Sequence, residues 1–364
     1  MKPAISVVIP FYREGKLLEN ALDSVLQQTF QDFEIILVNN NATGETLQIA
    51  QAFNASQPNR IHLFHEPDQG ACSARNTGIR NSRGTFIALF DGDDRMKPER
   101  LDRQIQILQD NPDVSLVSCH HDLITFDGVE VIQRNIPELS YSSKSTLELK
   151  KILKDLFEPF GFPYIDSFDL FSASFLLFRR DDALKAGLFD SRLNPRGKDD
   201  WEFVMRMFEL GRFVLIPEAL QYFRDENPQT RKFKLKAKHE KRVLLHEQKF
   251  IGILWERYGQ TIPQNKASFK KLVCYTLNRF GCYLMGFKEG KKLGKNFLKR
   301  ALILDPSDVA FWKNYTKTWA PSSFHPHFFD FEEEQDQTLD FEPDFSCTYL
   351  KWPPTIPSGK TIAD

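Results

Sequence analysis

Cysteine is scarce: Cys72, Cys119, Cys274, Cys282 and Cys347 are odd in number and form no Cys-x-x-Cys pair. A disulfide scaffold and a zinc knuckle are set aside, and a reducing, cytoplasmic setting is expected. Long apolar runs are also missing. The longest, LFSASFLLF at Leu170–Phe178, is far shorter than the ~20 residues that span a bilayer. The opening MKPAISVVIPFYREGK has only a short apolar run with charge directly after it, so no secretory leader is expected. No GxGxxG follows the first apolar run, which excludes the dinucleotide-binding pattern. Composition is otherwise that of a globular chain: 364 residues, 41% hydrophobic and 27% charged, which excludes wholesale disorder.

The net charge of −1 conceals a strong asymmetry. Residues 1–230 carry 25 Lys+Arg against 34 Asp+Glu, residues 231–300 carry 19 against 4, and residues 301–364 carry 4 against 11. A basic block between acidic ones suits an anionic partner, a membrane surface or neutralisation by the acidic tail. Nucleic acid is not expected, because the block has few interleaved aromatics and the first 230 residues are acidic.

Short apolar runs, Ile5–Ile9, Glu34–Val38, Ile61–Phe64 and Phe86–Phe90, read as buried strands. Leu17, Leu18, Ala21, Leu22, Val25 and Leu26 recur between them at helical spacing, as do Ile105 and Leu108 later, with Pro98 suiting the first turn of that later helix. Strand–helix–strand alternation implies parallel pairing through right-handed crossovers, hence an open α/β sheet with ligands at the carboxyl ends of its strands. Pro10–Glu14, Asn39–Gly44 and Asp91–Asp94 then share one rim. Further on, strands are expected near Ser174–Phe178, Phe213–Ile216 and Leu220–Arg224, with a helix from Asp199 to a C-cap at Gly211. From Arg231 to about Tyr315 the pattern is helical, including Gly290–Pro306. After Trp319 it turns to Pro, Phe and acid. Three regions follow: 1–230, 231–318 and 319–364.

Three constellations carry chemistry. Asp91-Gly92-Asp93-Asp94 follows a buried strand, and carboxylates gathered there repel one another unless a divalent cation such as Mg²⁺ or Mn²⁺ relieves them. An acidic turn leading into a helix is the simpler alternative. Upstream, GACSARNTGIRNSRGTF places Arg75 early in a helix, either as an anion-binding group or as an ordinary surface arginine. In GKDDWEFVMRM, Asp199 and Asp200 either cap a helix or supply a general base with a charged neighbour. His120 and His121 suit either a structural place or a cleft wall.

Taken together, ISVVIPFYRE, EIILVNNNATGET, QGACSARNTGIRNSRGTFIALFDGDD and KDDWEF resemble a family-2 glycosyltransferase of the GT-A fold over about residues 4–224. The resemblance implies an α/β, mostly parallel sheet with helices on both faces, here followed by a helical C-terminal extension. It also implies transfer of a sugar from a nucleotide-diphosphate donor, a UDP-sugar first, to an acceptor hydroxyl on a glycan, lipid-linked or protein acceptor. Inversion and a divalent metal, Mn²⁺ or Mg²⁺, belong to it. By position, Pro10 and Tyr12 line the base pocket, Glu14 the ribose side, Asn39 the base edge, Arg75 the nucleotide and Asp91 the ribose or sugar. Asp93, with Asp94 beside it, would hold the metal; Asp200 would be the base and Asp199 its neighbour.

The chain departs from the family at Asn39-Asn40-Asn41-Ala42, where an Asp-Asp/Asn-Gly-Ser pattern is usual. It departs again after Arg224, where Asp225-Glu226-Asn227 replace a frequent His. A sugar-1-phosphate nucleotidyltransferase is disfavoured, since Pro10–Glu14 contains no glycine. A non-catalytic nucleotide-sugar or glycan-binding protein is the alternative from another class. The basic helices, with KFKLKAKHEKR (Lys232–Arg242) and KEGKKLGKNFLKR (Lys288–Arg300), suggest peripheral contact with anionic lipid or a phosphorylated carrier.

Overall fold

Ile5, Val7, Val8 and Ile9 are all fully buried, so the first strand, β1 (Ile5–Phe11), is covered on both faces. The computed structural model describes residues 2–136, 172–194, 197–224, 249–254, 256–257, 266–285, 291–307 and 309–317. After β1 come α1 (Leu17–Leu26), β2 (Phe33–Asn39), α2 (Gly44–Ser56), β3 (Ile61–His65), α3 (Ala71–Asn81) and β4 (Phe86–Leu89). Then follow β5 (Arg95–Met96), α4 (Arg100–Asp110), β6 (Val114–Ile124) and β7 (Val131–Ile136). β8 (Leu177–Arg179), α5 (Arg180–Ala186), α6 (Asp199–Phe208) and β9 (Arg212–Arg224) complete this part.

The nine strands form one sheet in the order β3-β2-β1-β4-β8-β6-β9-β5, with β7 paired to β6. β1 pairs in parallel with β2 and β4, and β2 with β3. This confirms the expected parallel half. β8 lies antiparallel between β4 and β6, whereas β9 runs parallel to β6. Successive strand residues face opposite sides. Ile5, Val7 and Ile9 pack in one core with Leu18, Leu22 and Val25 of α1 and with Leu101, Ile105 and Leu108 of α4. Val8 and Val38 face α3 on the other side. There a Cβ on Gly78 would lie 2.2 Å from Val8 Cγ1, so only glycine lets that helix approach. Each fully buried Leu, Ile or Val contributes about 1.5–3 kcal/mol.

Three local expectations change. The segment read as a strand from Ser174 is a 3₁₀ turn, Ala173–Phe175, and extends only at Leu177. The Ser174 hydroxyl is held by Asp94 and by the Asp91 N–H, which draws the chain out of the ladder. α6 stops at Phe208, not Gly211. A Cβ on Gly211 would meet the Asp113 carbonyl oxygen at 2.7 Å, so this glycine serves close approach to the start of β6 rather than a C-cap. Pro98 precedes the N-cap Glu99 and is not within the first turn of α4.

The chain divides into two compact units, Met1–Ser142 with Tyr164–Asn227, and Ser143–Pro163 with Pro228–Asp364. The second contains α7 (Lys266–Met285), α8 (Lys291–Leu304) and α9 (Val309–Lys317). α7 and α8 cross at glycines: a Cβ on Gly294 would lie 2.8 Å from the Gly281 carbonyl oxygen. Asn314 of α9 donates to Asn278 of α7 at 3.1 Å. The run Lys232–Arg242, the residues after Lys317 and Asp225-Glu226-Asn227 lie outside the described residues.

A Gly294→Val substitution forces α7 and α8 apart. It is expected to destabilise the second unit by about 1–3 kcal/mol, read as a lower urea midpoint in far-ultraviolet circular dichroism.

Candidate active site

The loops after β1, β2 and β4 meet at the carboxyl ends of the parallel strands, and the start of α6 joins them through Arg75. After β1, Glu14 accepts the Tyr12 N–H at 2.7 Å. Burial, reinforced by Asp93 and Asp91, pushes the Glu14 carboxyl up to about 7 against two backbone hydrogen bonds. Gly92 keeps the two loops in contact: a Cβ there would touch Glu14 Cγ and Leu18 Cδ1 at 3.3 Å.

The three acids after β4 have different fates. Asp93 is exposed, and its carbonyl oxygen accepts Arg224 Nε at 2.6 Å. Asp91 is partly exposed and accepts Arg75 Nη2 at 3.1 Å. Asp94 is only 2% exposed and differs from the metal-ligand expectation. Its Oδ2 accepts Ser174 Oγ and Gln221 Nε2, each at 2.8 Å, and its Oδ1 accepts the Arg224 N–H at 3.1 Å. Both oxygens therefore face inward. Burial, then Asp93 and Asp91, raises the Asp94 carboxyl well above the usual carboxylate range. Behind it, Gln221 Oε1 accepts from the buried Arg100 guanidinium, which also donates to the Leu89 carbonyl at 3.2 Å.

Arg75 sits on α3, 8% exposed, and bridges two loops: Nη1 donates to Asp199 Oδ2 at 2.6 Å and Nη2 to Asp91. Its Nε has no partner. Burial alone would lower its pKa, but Asp91, Asp199 and Asp200 together hold the guanidinium above its ordinary value. Arg75 is thus an internal counter-ion, more than the nucleotide-facing group the motif suggests.

Asp199 and Asp200 open α6 after a strained turn. Lys198 has φ +63° and Gly197 φ +139°. The Gly197 N–H closes onto Asp199 Oδ1 at 3.0 Å, and Lys198 Nζ lies 3.7 Å from the Trp201 ring centre. Non-glycine residues in the left-handed region cost of order 1–3 kcal/mol and persist where surroundings fix them. Asp200 is half-buried and accepts its neighbour Trp201's N–H at 2.9 Å. Burial and the Asp199 charge raise its carboxyl to about 7, against Arg75, that N–H and Lys198.

On the β1–β2 side, Pro10 stands near the end of its strand, paired with Val38. Asn39 Oδ1 accepts the Ala42 N–H at 2.6 Å, so its side-chain oxygen is already engaged by the loop. Asn40 is buried: its amide donates to the Glu66 and Asp68 carbonyls at 2.9 Å, and its oxygen accepts the Gly70 N–H at 2.8 Å. It ties β2 to the start of α3, a role that no local pattern signals. A cavity of about 410 Å³ opens beside this loop, lined by Tyr12, Arg13, Gly15, Asn41, Thr43, Glu45 and Thr46. Arg13 stacks on Tyr12 at 4.6 Å.

Residues 6–165 match the profile of "Glycosyl transferase family 2". That part of the chain belongs to this family. It is similar to the uncharacterized glycosyltransferase EpsJ of Bacillus subtilis, 30% identical over 231 residues that cover 63% of this chain and 62% of EpsJ. It is also similar to glycosyltransferase GlyG of Streptococcus pneumoniae, 33% identical over 129 residues, 35% of this chain and 42% of GlyG. The chain thus spans less than two thirds of either relative. Two solved structures share the fold, each with a TM-score of 0.51 at 16% identity. S. aureus TarS 1-349 in complex with UDP-GlcNAc covers 87% of this chain and 90% of its own. Mannosyltransferase PcManGT from Pyrobaculum calidifontis in complex with GDP-Man and Mn²⁺ covers 88% and 85%.

The donor set of this family-2 domain fits a metal in one way. Among the described residues no group of three His, Cys, Asp or Glu gathers into a cage. Asp93 exposed and Asp91 partly exposed supply hard oxygens, which suits a cation held by one or two carboxylates and completed by phosphates and water. His121 is not among the donors. His121 is fully buried, stacked on Phe175 at 4.9 Å, and its ring nitrogens have no partner. Burial and His120, against Asp122, lower it to about 4, so it is neutral at pH 7.

Replacing Arg75 by Met leaves Asp199 buried and Asp91 partly buried without their shared cation. A loss of about 3–5 kcal/mol is expected at pH 7.5. Urea midpoints of the two proteins at that pH check it.

Proposed function

We propose that this chain transfers a glycosyl group from a nucleoside-diphosphate sugar to an acceptor hydroxyl by single displacement with inversion. The observation that carries the reading is Asp200. It is a half-buried carboxylate raised to about 7, beside an acid-lined strand-end site that a single buried arginine holds together. A base whose pKa lies near the working pH transfers protons most effectively. The families of EpsJ and GlyG, and the nucleotide sugars named with TarS and PcManGT, support the same reaction class.

In this reading the donor diphosphate lies over the Asp91–Asp94 loop, with Pro10 and Tyr12 at the base and Glu14 and Asp91 at the ribose and sugar. Asp93, assisted by Asp91, would hold Mn²⁺ or Mg²⁺, which when bound offsets the charge of the departing diphosphate. Asp94 has a different part: it braces the loop from below. Asp200 accepts the acceptor's hydroxyl proton as that oxygen bonds to the anomeric carbon. The bond from that carbon to the diphosphate oxygen breaks on the opposite face, and its electron pair leaves with the diphosphate. Asp199, tied to Arg75 and Gly197, positions Asp200 and raises its basicity. The acceptor is a glycan, a lipid-linked sugar or a protein. Among the described residues no helix is long and apolar enough to cross a membrane.

Asn39 bears on the base. With its oxygen engaged by Ala42, the side chain offers an amide donor. Its oxygen keeps a second lone pair for the imide N–H of uracil, the base that the family resemblance favours, and its amide can donate to a base carbonyl. Calorimetry with CDP, GDP, UDP and dTDP, in Mn²⁺, Mg²⁺ or EDTA, is expected to rank UDP first. Asn39→Asp adds acceptor capacity for the imide N–H and strengthens that preference, and Asp93→Ala removes the metal dependence. No binding by any nucleotide would leave only a shared fold.

Asp200→Asn should keep donor binding and lower transfer by about 10²–10⁴-fold. Turnover without Asp200 at the wild-type rate would remove it as the base. In the wild type, kcat/KM rises with pH to a plateau above about 7. The stability sign is opposite. A carboxyl raised in the folded state binds protons there between about 4 and 7, so its stabilising share is lost as pH rises through 7. Asp200→Asn is therefore expected to raise the thermal midpoint at pH 8, to raise it less at pH 5, and to leave it nearly unchanged near pH 3.

A further inference from the structure

α8 buries one side of itself well. Phe297, Leu298 and Ala301 are at most 5% exposed, and Leu298 fills the space over Gly281. Where α8 turns into α9, however, three large apolar side chains stand in water. Ile303 is 68% exposed, Val309 79% and Trp312 48%. They follow one another around the turn at Asp305–Ser307, and the Trp312 indole N–H donates to the Pro306 carbonyl at 2.8 Å, which fixes the ring beside the turn.

The helix leading to this tip is basic, while the turn itself carries Asp305 and Asp308. α8 reads KKLGKNFLKRALIL, five Lys or Arg and no acid. Lys292, Asn296, Lys299 and Ile303 are exposed at spacings of 4, 3 and 4, which is one stripe of a helix. On α9, Val309, Trp312, Lys313 and Thr316 are exposed and likewise share a face. Asp305 accepts both the N–H and the hydroxyl of Ser307, so the turn's own hydrogen bonds engage it.

A basic margin around an apolar tip that carries a tryptophan fits the boundary between lipid phosphates and acyl chains. We propose that the α8–α9 corner docks on an anionic lipid surface. Ile303, Val309 and Trp312 enter the headgroup–acyl boundary, and Lys292, Lys299 and Lys313 meet the lipid phosphates. A second copy of the chain suits this corner less, because it would set lysines against lysines. A nucleic acid would satisfy the charge and leave the apolar tip in water. The inference stands independently of the transfer reaction, since none of these residues belongs to the strand-end site.

The test is co-sedimentation of the full chain with vesicles of equal parts phosphatidylcholine and phosphatidylglycerol, against vesicles of phosphatidylcholine alone. Binding to the anionic vesicles only is expected. The pair Ile303→Gln and Val309→Gln, and separately the pair Lys292→Glu and Lys299→Glu, should each lower the partition coefficient about tenfold. All four side chains are exposed, so thermal unfolding should not change. Should either pair misfold, Trp312→Phe gives a second reading: it should abolish a vesicle-induced blue shift of tryptophan emission. Equal binding to both vesicles, binding unaffected by the Gln pair, or a blue shift that survives Trp312→Phe would overturn the proposal. So would a Gln pair that changes the sedimenting mass without changing lipid binding, since the corner would then be a contact between copies.

Discussion

A guanidinium buried between two carboxylates holds this strand-end site together. Asp91 ends a parallel strand and Asp199 opens a helix 108 positions later in the sequence, yet Arg75 reaches both within 3.1 Å. Without it, two acids facing a third at Asp200 would repel one another in a region where water screens little. The same cation has a second effect. Its charge pulls the Asp200 carboxyl down, while burial, the larger cause, and the Asp199 charge outweigh that pull and hold the carboxyl at about 7. Structural neutralisation and chemical tuning come from one residue.

A second buried cation works at one remove. Arg100 does not bond Asp94; Gln221 stands between them, accepting from Arg100 and donating to Asp94. Ser174 completes the brace and receives the Asp91 N–H. This network makes adjacent aspartates unlike. Asp94 is drawn inward and Asp93 is left facing out, because the Arg224 backbone N–H and side chain grip Asp94's carboxylate and Asp93's carbonyl respectively. Cooperative buried networks of this kind specify one arrangement, since any unpaired member would be costly.

Much of the fold was legible in the sequence for a simple reason. Strands covered on both faces read as unbroken apolar runs, so ISVVI, EIILV and FIALF were plain, and the helix between the first two showed its buried face as Leu18, Ala21, Leu22 and Val25. The order of motifs placed three acidic or polar loops at one rim, and that rim exists. The departure at Asn39 was visible as well, although the direction of its amide was not.

Periodicity, the parallel half of the sheet, and which residue types sit where strands end are local properties, readable from the order of residues. The tertiary structure decided which of those residues face out and which turn in. Asp94 was assigned inward by Ser174 and Gln221, 80 and 127 positions away. Asn40 was made a tie by Gly70, and Ser174 was bent out of its strand by the acid it holds. The exposure of Ile303, Val309 and Trp312 was settled in the same way, by how α8 and α9 pack and not by their composition. Each of these outcomes depends on hydrogen bonds or contacts between distant segments, and such partners are known only once the chain has folded.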